Sequence, residues 1–219
     1  MRISLIHGEN STKAYEKFRQ LIDSSKKKGF DIVQINDIKK IVSQSLFEEK
    51  IVFVLNKPSK IKLNDWKWFT KNAPKYNSNL LIYNDGNLPS LILRAFPKEA
   101  SIEKFDLPKI IFTFLDSFWP GNSKNALKLL NELVINEPIE LVFHLLSRHV
   151  RDLYWVKVSA DSLEIPDWRK SKIKNQSDKF SLEVLSKVIN ELAEIDVKSK
   201  TSNEDLKSSL DILIAKYLK

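Results

Sequence analysis

Between a short apolar run and an amphipathic segment lies His7-Gly8-Glu9-Asn10-Ser11-Thr12-Lys13, the position a phosphate-binding loop would take. Such a loop needs two glycines followed by Lys-Ser/Thr, so that main-chain amides and the lysine surround the phosphates and the hydroxyl reaches magnesium. Here one glycine is present, and Lys13 follows the hydroxyls instead of preceding them. The 219 residues hold only four glycines (Gly8, Gly29, Gly86 and Gly121), so no glycine-rich cradle can be built elsewhere. ATP binding is not expected, and no cofactor is implied.

The other reactive side chains give no better constellation. His144 and His149 are five apart, on different sides of a helix, whereas metal ligands on one helix usually sit four apart. His7 is a lone loop histidine with no serine or aspartate placed beside it by any motif. Cysteine is absent, which removes disulfides, thiolate ligands and a cysteine nucleophile. No carboxylate pair departs from the solvated helix faces. The expectation is a chain with no metal and no catalytic residues of its own.

Charge points instead to binding. Residues 1–104 carry 19 Lys/Arg against 11 Asp/Glu, a net of +8, while residues 105–219 carry 17 of each. A basic half joined to a neutral half suggests two domains, the first facing an anionic partner such as nucleic acid. A lysine-rich but otherwise ordinary surface explains the charge equally well. Within the basic half, Lys57, Lys60, Lys62, Lys67, Lys71 and Lys75 interleave with Trp66, Trp68 and Phe69. Aromatic rings can stack on bases while lysines follow phosphates. Trp66 and Phe69, three apart, are assigned to one face packed on a sheet, leaving Trp68 and the lysines free for phosphate.

These residues need elements to position them. Residues 2–6, 31–35, 51–55 and 79–83 read as strands, the continuous apolar run 51–55 being typical of a strand buried on both faces. Ala14, Phe18, Leu21 and Ile22 form one helical face, with Asn10, Ser11 or Thr12 as cap and Gly29 as stop. Helices are expected over 37–47 and near 64–73. Alternating strands and helices mean an α/β layer with a parallel sheet. After Pro97 the periodicity is helical over 106–118, 123–135, 138–158, 168–177, 181–199 and 202–218, the last with Thr201 and Glu204 at capping-box spacing. The predicted domains are an α/β domain over 1–104 and a helical bundle over 105–219. No apolar run is long enough for a membrane span, and no signal peptide is evident, so a cytoplasmic protein is expected.

Three stretches resemble the delta subunit of the bacterial DNA polymerase III clamp loader. The first is the opening strand with Gly8-Glu9 and the following helix. The second starts at Phe114-Leu115-Asp116 and runs through Gly121-Asn122, Ala126-Leu127, Leu130, Leu133 and Asn136-Glu137-Pro138 to Arg148, Arg151 and Leu153. The third holds Pro166, Trp168, Lys172, Gln176, Phe180-Ser181, Leu185, Leu192, Asp196 and Lys198 or Lys200. The resemblance implies an AAA+-like (RecA-like) α/β domain with a degenerate P-loop, and a helical collar. It also implies a role without catalysis of its own: the collar joins the ATPase (gamma/tau) and delta-prime subunits. The α/β domain then grips and opens the sliding clamp (beta) on primer-template DNA during replication. The family's small helical lid between the two domains has no room here. The rival readings are a small nucleotide-dependent enzyme and a free-standing basic nucleic-acid-binding adaptor.

By the same resemblance, Leu46 and Phe47 are the adjacent hydrophobic residues presented to the clamp, while Lys57, Lys60 and Lys62 of the lysine-aromatic segment are candidate phosphate contacts. Periodicity bears on the first pair. At 100° per residue Ile38, Ile41, Val42 and Ser45 share a face, with Leu46 at its edge. Phe47 falls half a turn away from Ile38, off the apolar stripe, so it is the stronger candidate.

Overall fold

The computed structural model describes residues 2–41, 50–56, 58, 61–73, 78–202 and 204–219. By internal contacts the chain divides into two compact units, residues 1–107 and 108–219.

The first unit is a five-stranded parallel sheet: β1 (Arg2–His7), β2 (Asp31–Ile35), β3 (Ile51–Asn56), β4 (Asn79–Tyr83) and β5 (Ser101–Lys104), in the order β2-β3-β4-β1-β5. Period-2 alternation sorts its side chains onto two buried faces. Ile3, Leu5, Phe53, Leu55, Leu80 and Ile82 meet Trp66 and Phe69 of α2 (Leu63–Asn72) on one face. Ile6, Val52, Val54 and Leu81 meet Ala14 and Phe18 of α1 (Ser11–Lys27) on the other. With both faces covered, residues 51–55 are all buried, as a continuous apolar run requires. Asn10 is the cap of α1, its side chain accepting from the Lys13 amide at 3.2 Å. Gly29, at φ 78, follows the helix.

The fifth strand is absent from the sequence reading. Residues 101–104 (Ser-Ile-Glu-Lys) are mostly exposed, and they are held by main-chain pairing with β1, in register Ser4↔Ser101 to His7↔Lys104. An edge strand without a buried face leaves no hydrophobic alternation to read. Before it, the short helix α3 (Ser90–Leu93) hugs the sheet, anchored by buried Leu88 and Phe96 on either side.

The second unit is all helical: α4 (Lys109–Ser117), α5 (Ser123–Leu133), α6 (Ile139–Ser159), α7 (Asp167–Ser177), α8 (Leu182–Thr201) and α9 (Leu206–Tyr217), with a 3₁₀ turn after α6. The 21-residue α6 is the axis, packing against α4, α7, α8 and α9. Its core gathers Phe114, Phe118, Leu130, Leu146, Leu153, Leu185, Val188 and Leu213. One expected start moves. Thr201 ends α8, its hydroxyl donating to the Val197 carbonyl at 2.8 Å. Asp205 caps α9 instead, accepting from the Ser208 amide at 2.8 Å. An aspartate carboxylate beside the first turn outcompetes the weaker threonine box one turn upstream. Residues 105–108 alone join β5 to α4, so no further domain intervenes. No helix among the described residues is long and apolar enough to cross a membrane.

Candidate functional site

In an open parallel sheet, ligands are expected beyond the carboxyl ends of the strands, where neighbours lead to helices on opposite faces. Here that place lies between β1, which runs into α1, and β4, which runs toward α3 on the other face. The protein's own main chain fills it. The Gly8 amide donates to the Gly86 carbonyl at 3.1 Å, the Asn10 amide to Phe105 at 2.9 Å, and the Phe105 amide to His7 at 2.8 Å. Asn84 Nδ2 adds a bond to the same Gly86 carbonyl at 2.9 Å. The Gly8 and Asn10 amides are therefore turned into the fold.

Gly8 is required here by close approach. Its φ is 135°, and a Cβ would lie 2.1 Å from the Phe105 carbonyl oxygen. His7, buried beside it, accepts the Leu88 amide on Nδ1 at 3.4 Å. Burial, then the nearby Lys104, hold its pKa below the usual imidazole range, so it serves the loop as a neutral acceptor. The loop His7 to Asn10 is a structural clasp.

The lysine-aromatic segment divides by face. Trp66 and Phe69 are buried, Trp66 lying 4.8 Å from the Phe96 ring. Trp68, Lys67 and Lys71 are exposed. Lys62 is exposed at the N-cap of α2. Lys57, Lys60, Leu46 and Phe47 lie outside the described residues.

In the helical unit the motif residues are tie points between helices. Gln176 of α7 donates from Nε2 to the Leu115 and Phe118 carbonyls, both at 2.8 Å. Its Oε1 is 3.0 Å from His149 Nε2 on α6. With both amide hydrogens spent on carbonyls, Oε1 must accept, so His149 carries its proton on Nε2. Burial holds His149 below the ordinary imidazole pKa, the Gln176 bond partly opposing this. Lys172 bridges α7 to Asp116 of α4 at 2.5 Å. Phe180 stacks on Phe118 at 6.1 Å, and Ser181 caps α8 through the Val184 amide. Sequence reading placed these residues, but not the partners of Gln176, Lys172 and Phe180, which lie 27 to 62 positions away.

The helical unit matches the family model described as DNA polymerase III delta subunit, C-terminal domain, over residues 109–217. Residues 109–217 are thus a delta-subunit family C-terminal domain. Among solved structures, the chain is similar to the Bacillus subtilis DNA clamp loader delta protein (YqeN), with 14% identity and a TM-score of 0.44, covering 99% of this chain and 94% of that one. No curated protein matches the sequence.

The delta-family domain also presents surface. An open groove of about 950 Å³ runs between α6, α8 and the start of α9, lined by Ile139, Phe143, Ser147, Leu192, Asp196 and Leu206 among others. Outside it, Trp168, Ile135, Ile212 and Val197 are each more than half exposed. Among the described residues no group of His, Cys, Asp and Glu is arranged to hold a metal.

Proposed function

We propose that this protein is a component of a clamp loader in DNA replication, without catalytic residues of its own. Its helical domain would join the ATPase and delta-prime subunits, and its α/β unit would bind and open the sliding clamp. A cytoplasmic place at the replisome follows from that role. The observation that carries the reading is the delta-family match of the helical domain. The main-chain clasp at the end of β1 supports it, because the Gly8 and Asn10 amides, which a phosphate there would need, already serve carbonyls of the fold.

Leu46 and Phe47 are the proposed clamp contacts, resting on the family resemblance and on the off-stripe position of Phe47. The test is co-purification of the full chain with the sliding clamp and the ATPase subunits, followed by Phe47→Ala. That variant is expected to keep fold and subunit assembly while clamp affinity drops about tenfold, near 1.4 kcal/mol. Unchanged clamp binding, or an unfolded variant, removes Phe47 from the site.

A second reading, a free-standing nucleic-acid adaptor, draws on the exposed Lys62, Lys67, Lys71 and Trp68. It requires binding to DNA without any loader partner, falling steeply with salt. Lysine acts on phosphate as a point charge, so that binding would show no sequence preference.

A further inference from the structure

On the face of the sheet covered by α2 and α3 lies a second, smaller groove of about 430 Å³. Its walls follow from the two helices' inward anchors. In α2, Trp66 and Phe69 point into the core, which turns Leu63, Lys67, Thr70 and Lys71 to one outer side. Across from them, Leu88, Phe96 and the partly buried Ile92 and Leu93 face the core, leaving Leu91 and Arg94, three apart, toward the same space. The Thr70 hydroxyl lies against the Ala95 carbonyl and fastens the two walls together. The groove is thus formed before any partner arrives.

Its chemistry has one sign. Lys67, Lys71 and Arg94 line it, and among the described residues no carboxylate does. None of the three cations enters an ion pair among the described residues. Between them the surface is apolar: Leu63 and Leu91 contribute, and Leu91 is 60% exposed. Three cations around one exposed and one half-buried leucine suit a ligand that brings negative charge and an apolar side chain together. A phosphate backbone supplies the charge but leaves the leucines in water.

We propose that this groove docks an acidic peptide segment of a partner protein, with one apolar side chain seated between Leu63 and Leu91 and its carboxylates on Lys67, Lys71 and Arg94. The proposal does not depend on the clamp-loader reading, since it concerns α2 and α3 alone.

The test uses the full chain and fluorescein-labelled nine-residue peptides with Asp and Glu flanking a central Leu or Phe. Controls carry Asn and Gln in place of the acids, or Ala at the centre. The acidic Leu or Phe peptide is expected to bind with a Kd on the order of 100 μM, roughly tenfold tighter than either control. Lys67→Glu with Arg94→Glu, and separately Leu91→Asp, should each weaken it about fivefold or more. Circular dichroism checks that the variants are folded, and the milder Lys67→Gln with Arg94→Gln reads the same contacts. No binding of any acidic peptide below about 1 mM overturns the proposal. So does equal binding of the Ala-centred peptide, which would reduce the site to bare charge. Displacement of the peptide by an oligo-dT strand at lower concentration, with the same residues required, would make the groove a nucleic-acid surface instead.

Discussion

The two units solve the problem of buried polar groups in opposite ways. The α/β unit uses main chain against main chain. At the end of β1, Gly8, Asn10, Gly86 and Phe105 bond one another and seal the place where a ligand would sit. The helical unit uses side chains: Gln176 and His149 reach across from helix to helix. The contrast teaches where each unit is vulnerable. Backbone geometry governs the first, side-chain hydrogen bonding the second.

Gly8→Ala attacks the first directly. The added methyl meets the Phe105 carbonyl at a φ that L-residues rarely adopt, a cost of about 3 kcal/mol. Urea unfolding of the full chain should show the α/β transition moved down while the helical transition stays in place. A variant as stable as the parent would mean that the clasp is not a constraint.

Gln176→Leu should do the reverse. It keeps the volume but strips partners from the Leu115 and Phe118 carbonyls and from His149, costing about 2 kcal/mol. Loss confined to the helical unit sharpens the contrast, and loss in both transitions breaks it.

Acid should act more gently. His149 has its pKa lowered from 6.5, chiefly by burial, so the unfolded chain takes up the proton first as pH falls. Its contribution is present above pH 6.5 and is lost below it, at up to about 1.4 kcal/mol per pH unit, until the folded-state pKa is reached. Denaturation of the helical unit at pH 7 and pH 5.5 measures the slope. His149→Gln should flatten it there and leave the α/β unit, where buried His7 carries the same sign, as pH-sensitive as before.

Legibility in the sequence followed the same division. The strands over 51–55 and 79–83 were readable because both faces of a parallel sheet are apolar, and the edge strand over 31–35 because it still holds Ile32, Val33 and Ile35. Strand β5 was not, since its Ser-Ile-Glu-Lys residues are placed by the pairing of β1 and not by burial. The helix stripes were plain in the second unit, but not the Gln176 network, because nothing local links position 176 to 115, 118 and 149. For the sites, Trp66 and Phe69 could be told from Trp68 by helical spacing alone. The α2–α3 groove could not be read: Lys67 and Lys71 announce a charged face, yet Leu91 and Arg94 reach it only after the chain has crossed through β4.

The position of β1 has a consequence in time. It lies inside the sheet, yet its two partners, residues 79–83 and 101–104, come far later in the chain. At a synthesis rate of about 5–20 residues per second, on the order of 5–20 s separate β1 from the strand that closes its second edge. Throughout that interval at least one edge of an apolar strand waits without its partner. Pairings at such sequence distance form slowly, so the sheet, not the locally wound helices, sets the pace at which this protein folds.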